Sequence, residues 1–171
     1  MATAQILVVE DEYIVAKDLQ ATLTRLGYTV SGIVASGEEA IRQAELLVPD
    51  VVLMDIVLKG RIDGVSAAKE IRERFEIPVI YLTAYADDAT FQRAKMTFPA
   101  SYLFKPFRER ELRVAVELAL YGQATRERLQ RSEQPFLHGI HANGDAVIVT
   151  DHEGMVTFMN PQALARRGRL D

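Results

Sequence analysis

The stretch Ile6-Leu-Val-Val-Glu-Asp-Glu12 places three carboxylates directly after a run of four apolar residues. A continuous apolar run is typical of a β-strand covered on both faces, whereas a half-exposed strand alternates apolar and polar residues. Four further strand-like runs follow, at residues 29–34, 51–54, 78–82 and 101–104. Three of the five runs are continuously apolar, which indicates a parallel sheet with both faces covered.

Amphipathic segments between these runs predict the helices that would cover the sheet. Ser36-Gly-Glu-Glu39 is a capping box that opens one helix, and Gly27 is well placed to follow the end of another. The predicted helices cover residues 15–26, 37–47, 64–75, 87–96 and 106–122, the last beginning at Pro106 and extending toward residue 131. Strands alternating with helices favour an α/β protein with a doubly wound, five-stranded parallel sheet and helices on both faces.

Composition narrows the classes of function. The 171 residues carry a net charge of −4 and are 49% hydrophobic, which suits one full domain with an appendage. There is no cysteine, which excludes disulfides, thiolate metal sites and thiol catalysis. The run at residues 6–9 is too short for a signal peptide or a membrane span, so we expect a cytoplasmic protein without membrane contact. The first 105 residues show no basic face, which argues against direct binding of nucleic acid.

Polar residues follow the apolar runs at the ends of four predicted strands: Glu10, Asp11, Asp55, Thr83 and Lys105. The carboxyl ends of parallel strands meet at one edge of the sheet, where doubly wound folds bind their ligands. Three carboxylates crowded there would repel one another unless a cation sits among them. Oxygen ligands without His or Cys favour Mg²⁺ or a similar hard ion. Together with a lysine and a hydroxyl, these groups suit phosphoryl transfer, and a carboxylate can itself be the covalent acceptor.

Each of these residues has an ordinary explanation when it is taken alone. An acidic residue after a strand, such as Glu10 or Asp11, is commonly a helix N-cap or part of a solvated loop. A threonine at a strand end and a lysine before a proline are also common. Asp55 differs, because it closes an apolar run and no helix-start pattern follows it. The joint placement at successive strand ends therefore favours a functional site.

Five segments resemble the receiver domain of two-component response regulators, in order and at suitable spacing over about residues 4–121: Val8-Val-Glu-Asp-Glu12, Leu53-Met-Asp-Ile56, Asp63-Gly64, Tyr81-Leu-Thr-Ala84 and Tyr102-Leu-Phe-Lys-Pro-Phe107. The resemblance implies a flavodoxin-like sheet with strand order 2-1-3-4-5. A flavodoxin-like binder of small molecules is a rival interpretation. It is disfavoured because Glu10-Asp-Glu12, not a glycine-rich phosphate-binding turn, follows the first strand.

The resemblance also implies a role for each matching residue. Asp55 would accept a phosphoryl group from a sensor histidine kinase or a phosphotransfer protein. Mg²⁺, or Mn²⁺ in its place, would be held by Asp55, by Asp11 directly, by Glu10 through water and by the backbone carbonyl of Val57. Thr83 would move to bond the phosphoryl group, Lys105 would pair with it, and Tyr102 would be the aromatic switch whose ring turns inward.

Two positions depart from what rapid hydrolysis of the phosphorylated form would need. Val57 and Tyr85 stand two residues after the expected acceptor and two after Thr83, where the family tunes self-dephosphorylation. Neither offers a good hydrogen-bonding group to an attacking water molecule. We therefore expect slow dephosphorylation, over times longer than minutes.

The implied function is a phosphorylation-dependent signalling switch, not a metabolic enzyme. We expect the conformational change to pass through the C-terminal helix to an attached or partner output module. The alternative is the receiver portion of a hybrid histidine kinase or of a cyclic-dinucleotide synthase whose catalytic domain is not encoded in these residues. A homodimer is possible through the face of the fourth helix, fifth strand and fifth helix, or through the C-terminal helix.

The last fifty residues differ in character from the receiver-like part. We expect the receiver domain to span residues 1–121 and a helical linker to span 122–134. Residues 145–151 and 155–159 are two strand-like runs joined by His152-Glu-Gly154, which predicts a β-hairpin. Val147-Ile-Val-Thr-Asp-His-Glu-Gly154 and Phe158-Met-Asn160 resemble the opening of a PAS sensor domain, so residues 135–171 are expected to form part of a PAS-like α+β module.

Overall fold

The structure is a computed structural model that describes residues 3–84, 88–142, 148–150 and 156–159. The chain divides into two compact units, Met1–Ala124 and Thr125–Asp171. Ten elements run from the start of the chain, strands alternating with helices: β1 Gln5–Val9, α1 Tyr13–Arg25, β2 Thr29–Val34, α2 Gly37–Leu47, β3 Val51–Asp55, α3 Gly64–Phe75, β4 Val79–Thr83, α4 Asp88–Lys95, β5 Ser101–Phe104 and α5 Glu109–Ala142.

The five strands form one sheet in the order β2-β1-β3-β4-β5, with every neighbouring pair parallel. This confirms the predicted flavodoxin-like order. The chain leaves β1 for the edge strand β2 and then returns to the other side of β1 for β3. The carboxyl ends of β1 and β3 therefore flank the point where the strand order reverses, which is where ligands bind in such sheets.

Alternate side chains of the sheet pack into two separate cores. Leu7 and Val9 pack with buried residues of α2, α3 and α4 on one face. Ile6 and Val8 pack with α1 and α5 on the other. Fully burying one such side chain contributes about 1.5–3 kcal/mol, more than a typical helix cap at about 1 kcal/mol. Burial on both faces explains why β1, β3 and β4 are continuously apolar in sequence.

Local signals place the ends of the helices close to where the sequence predicts them. The Ser36 side chain caps α2 by accepting a hydrogen bond from the Glu39 backbone N–H at 3.3 Å. Gly27 follows the last turn of α1 with φ +91°, a conformation that L side chains rarely adopt. Helix α3 has the predicted bounds, and its N-cap Asp63 accepts from the Ser66 N–H at 2.8 Å.

The fifth helix begins later than predicted, and the predicted helical extension is present but ends later than expected. Pro106 does not open α5, which begins at Glu109. The Arg108 backbone N–H donates to the Glu111 carboxylate at 3.0 Å, and the Leu112 N–H donates to the Arg108 carbonyl at 3.1 Å, so the helix start is organised at Arg108. At the other end α5 continues to Ala142, well beyond residues 122 and 131. Helix α4 spans Asp88–Lys95, slightly shorter than predicted.

The second unit contains the predicted hairpin. Strands β6 Ile148–Thr150 and β7 Val156–Met159 pair antiparallel, with a register shift between Val149 and Thr150. The connecting residues 151–155 lie outside the described residues, as does most of the segment that resembles a PAS domain. Among the described helices, none has both the length and the apolar character that a membrane crossing requires.

Candidate functional site

The predicted polar residues meet at the carboxyl edge of the sheet. Glu10 and Asp11 follow β1, while Asp55 and Thr83 are the last residues of β3 and β4. One carboxylate oxygen each from Glu10, Asp11 and Asp55 lies within 4.8 Å of the others. Glu10, Asp55 and Thr83 are the buried polar residues of the described chain, at 2%, 8% and 2% exposure. The fold thus concentrates negative charge where little water is available to screen it.

Lys105, which follows β5, supplies the positive charge inside this cluster. Its Nζ donates to Glu10 Oε2 at 2.5 Å and to Asp55 Oδ2 at 2.7 Å. Burial by itself would lower the pKa of Lys105, but the hydrogen bonds to Asp55 and Glu10 outweigh it and the pKa is raised. Lys105 is therefore charged at neutral pH.

Burial is the main influence on the carboxyl group of Glu10. Burial raises the pKa of Glu10 above its ordinary value, although the hydrogen bond from Lys105 and one from the Glu12 backbone N–H act in the opposite direction. The side chain is 1% exposed. An additional cation nearby would therefore favour the charged form of Glu10.

The backbone around Asp55 orients its carboxylate. Asp55 Oδ1 accepts from the Val57 N–H at 2.9 Å, which leaves Oδ2 for Lys105. Gly64, at the start of α3, packs so closely that an added Cβ would lie 1.9 Å from the Asp55 carbonyl oxygen. The second position of the Asp63-Gly64 motif therefore requires glycine for a steric reason. The sequence analysis did not identify this reason. Metal binding by the Val57 carbonyl stays a prediction, because no contact of that oxygen is described.

The hydroxyls of two predicted site residues are buried and lack a hydrogen-bond partner among the described residues: Thr83 Oγ1 and the Tyr102 hydroxyl. An unsatisfied buried hydroxyl is costly and suggests that a ligand or a second conformation satisfies it. The Tyr102 ring lies between two others, with ring centroids 5.7 Å from Tyr81 and 5.3 Å from Phe91 of α4. Tyr81 and Tyr102 are directly paired on β4 and β5. The aromatic residue predicted as a switch thus contacts both the central sheet and α4.

The cluster has the donor set of a Mg²⁺ site. Its three candidate ligands are carboxylates, and hard oxygen donors without nitrogen or sulfur favour Mg²⁺ over zinc. A dication would also remove the mutual repulsion of Glu10, Asp11 and Asp55. The residues present therefore fit the metal that the sequence predicts.

Lys59 is a further charged residue at the site that sequence analysis did not single out. Its Nζ lies 3.4 Å from Asp11 Oδ2, although the side chain is 89% exposed. A lysine in the loop after β3 is an ordinary surface residue in sequence. Its proximity to Asp11 depends on the fold of that loop.

Comparison with known proteins identifies the family. Residues 6–117, about two thirds of the chain, match the response regulator receiver domain. The chain belongs to this family. The curated relative PdtaR of Mycobacterium tuberculosis, a transcriptional regulatory protein, is 38% identical over 116 residues, which cover 68% of this chain and 56% of PdtaR. The chain spans about half the length of the curated relatives it matches.

Solved structures agree with this family. The receiver domain of the sensor histidine kinase PA1611 from Pseudomonas aeruginosa, with a magnesium ion coordinated in its active-site cleft, is 36% identical with a TM-score of 0.63, covering 70% of this chain and 98% of that one. The N-terminal domain of a response regulator/sensory box/GGDEF protein from Carboxydothermus hydrogenoformans is 35% identical with a TM-score of 0.66, covering 71% and 98%.

Proposed function

We propose that this chain is a signalling switch in which Asp55 accepts a phosphoryl group from a histidine kinase or a phosphotransfer protein. The observation that carries the proposal is the convergence of Glu10, Asp11, Asp55 and Lys105 at the sheet edge, with Asp55 Oδ2 bonded to the lysine. The match to the receiver family over residues 6–117 supports it.

The chemistry follows from the arrangement of these groups. A carboxylate oxygen of Asp55 attacks phosphorus and forms a new P–O bond. The bond from phosphorus to the imidazole nitrogen of the donor breaks, and that nitrogen keeps the electron pair. Because the other ring nitrogen of the reacting phosphoimidazolium keeps its proton, the donor leaves as a neutral imidazole. Asp11, Asp55 and the Val57 carbonyl, with Glu10 through water, would hold a Mg²⁺ ion, which would supply positive charge to neutralise the transferring group. Lys105 pairs with the phosphoryl oxygens, because a positive charge already held in position stabilises the negative charge on them.

The two unsatisfied hydroxyls support a way in which phosphorylation at this site could change the protein surface. A phosphoryl oxygen on Asp55 would give Thr83 Oγ1 the hydrogen-bond partner that it lacks. Movement of Thr83 changes the space beside Tyr102, whose ring packs on Phe91 of α4. The proposed output is therefore a shift of α4 and β5, and the two conformations differ in the surface that they offer to a partner.

For the rest of the chain we propose a receiver domain at residues 1–121, a helical linker at 122–134 and the first part of a PAS-like module at 135–171. The antiparallel hairpin of β6 and β7 supports the last assignment, as does the similarity to a receiver from a protein with a sensory box. For a homodimer we propose the face of α4, β5 and α5, supported by the exposed apolar side chains of Phe104, Val114 and Leu118, or the C-terminal helix.

The test is phosphorylation of the full chain by acetyl phosphate with Mg²⁺, followed by intact mass measurement or Phos-tag electrophoresis. We expect one phosphoryl group on the parent and on the control Asp18→Asn, which alters an exposed carboxylate of α1. Asp55→Asn should take up none. Modification of Asp55→Asn to the extent of the parent, or a parent that is never modified, would contradict the proposal.

A further inference from the structure

Lys59 lies beside the carboxylate that Lys105 does not reach. Lys105 bonds to Glu10 and Asp55, whereas the cation within ion-pair distance of Asp11, among the described residues, is Lys59 at 3.4 Å. Two ammonium groups thus divide three carboxylates between them. Asp11 is mostly buried, with a side chain 13% exposed, so its negative charge is only partly screened by water.

The loop that carries Lys59 is fixed by contacts with the start of α2. The Arg61 N–H donates to Glu38 Oε1 at 3.0 Å, and hydrogen bonds from backbone amides, first its own and then those of Arg61 and Ile62, lower the pKa of Glu38. Gly37 packs on the Ile62 carbonyl, where an added Cβ would approach to 2.7 Å.

Gly60 shapes the same loop directly after Lys59. Its φ of +147° is one that L side chains rarely adopt, and an added Cβ would lie 3.2 Å from Glu38 Oε2. The backbone that follows Lys59 is therefore held, while the Lys59 side chain itself is 89% exposed. A lysine whose neighbouring backbone is held can place its ammonium group at two positions without a change in the loop.

We propose that Lys59 is a tethered counter-cation: it competes with the divalent cation for Asp11 and, once displaced, attracts the anionic phosphodonor to Asp55. This inference rests on the proposed function and adds a residue to it. With the metal absent, the ammonium neutralises Asp11. With the metal bound, the same ammonium stands at the mouth of the pocket, where positive charge raises the local concentration of an anionic donor.

The two roles predict opposite effects of one substitution, which a purely structural role would not produce. Lys59→Gln removes the competitor, so Mg²⁺ should bind about two- to five-fold tighter, the range expected for an exposed ion pair. At saturating Mg²⁺ the same variant should react with acetyl phosphate about two- to five-fold more slowly. Lys59→Arg keeps the charge and should restore both values toward those of the parent. Both differences should shrink at high ionic strength.

The experiment measures the Mg²⁺ dissociation constant by calorimetry and the phosphorylation rate by intact mass, on the full chain at low salt. Lys69→Gln, which removes an exposed lysine of α3 paired with Glu73, is the matched control and should change neither value. A Lys59→Gln variant with the affinity of the parent, or a control that shifts equally, overturns the inference. Tighter Mg²⁺ binding with an unchanged rate overturns its second half. In each of these cases a parent that binds Mg²⁺ and is phosphorylated leaves the proposed function intact.

Discussion

Replacing Lys105 with methionine tests the electrostatic account of the site. The substitution keeps a long side chain but removes the two hydrogen bonds to Glu10 and Asp55, whose side chains are 1% and 11% exposed. Removing one partner of a fully buried ion pair costs about 3–5 kcal/mol, and of an exposed pair about 0.2–1 kcal/mol. Lys105 is 19% exposed, between these limits, so we expect the free energy of unfolding to fall by about 2 kcal/mol without metal.

Mg²⁺ should reverse much of this loss, because a dication among the same carboxylates replaces the missing charge. The assay is urea denaturation of the full chain, followed by circular dichroism with and without Mg²⁺. A loss of about 2 kcal/mol corresponds to about 4–8 °C in Tm for a protein of this size. Lys95→Met, at an exposed position of α4, is the control and should change stability little.

The pH dependence gives an independent check of the same reasoning. Burial raises the pKa of Glu10 in the folded state above its ordinary value of 4.5, so the folded state holds this proton more tightly than the unfolded state. The contribution of Glu10 to stability therefore declines as the pH rises from 4.5 through the raised pKa of the folded state. Without Lys105 the pKa of Glu10 should be higher still. The deficit of Lys105→Met should then be smaller at about pH 5 than at about pH 7.

Three outcomes would refute this account of the site. The first is equal stability of Lys105→Met and the parent in metal-free buffer at neutral pH. The second is a deficit that Mg²⁺ deepens, since this would mean that the carboxylates do not share a cation. A deficit that is the same at all pH values would show that lost packing, not charge, accounts for it.

Three further predictions follow from single residues. Gly64→Ala places a Cβ 1.9 Å from the Asp55 carbonyl oxygen and should lower the free energy of unfolding by more than about 3 kcal/mol, measured by urea denaturation. In its control Gly122→Ala, in α5, the added Cβ meets nothing within 4 Å, and the free energy of unfolding should rise by about 0.5–1 kcal/mol. Burial raises the pKa of Tyr81 to about 12 from 10.0, so stability should decline between these pH values in alkaline denaturation, and Tyr81→Phe should make the decline shallower, because Tyr28 and Tyr102, whose pKa values are also raised, remain. The Val57 side chain offers no hydrogen bond to an attacking water molecule, so release of phosphate from phosphorylated Asp55 should take longer than minutes, and Val57→Asn should make it faster. Release by the parent within seconds would contradict this.

Much of the fold could be predicted because its signals are local. The apolar runs of β1, β3 and β4 result from burial on both faces, and the hairpin of β6 and β7 follows from two short runs and a turn. The start of α5 could not be predicted in this way. Proline is favoured at the first position of a helix only as a statistical preference. Here the Arg108 backbone N–H donates to the carboxylate of Glu111, which lies three residues later in the chain.

The candidate site, too, was predicted from the sequence only in part. Glu10, Asp11, Asp55, Thr83 and Lys105 were predicted to converge, because the ends of parallel strands share one edge of a sheet. The structure brings the three carboxylates and Lys105 together and places Thr83, buried, at the end of β4. The contact between Lys59 and Asp11 was not predicted. The same is true of the Tyr81 hydroxyl, which lies 2.8 Å from Thr97 Oγ1 beyond the end of α4.

By itself the sequence determined the order of strands and helices, the polarity of each face and the chemical groups at the strand ends. These properties depend on residues near one another in the chain. Only the tertiary structure decided which lysine neutralises which carboxylate, which hydroxyls are left without a partner and which glycine must lack a side chain. Those facts depend on distances between residues far apart in sequence, such as the 2.7 Å from Lys105 Nζ to Asp55 Oδ2, and packing of the whole sheet sets them.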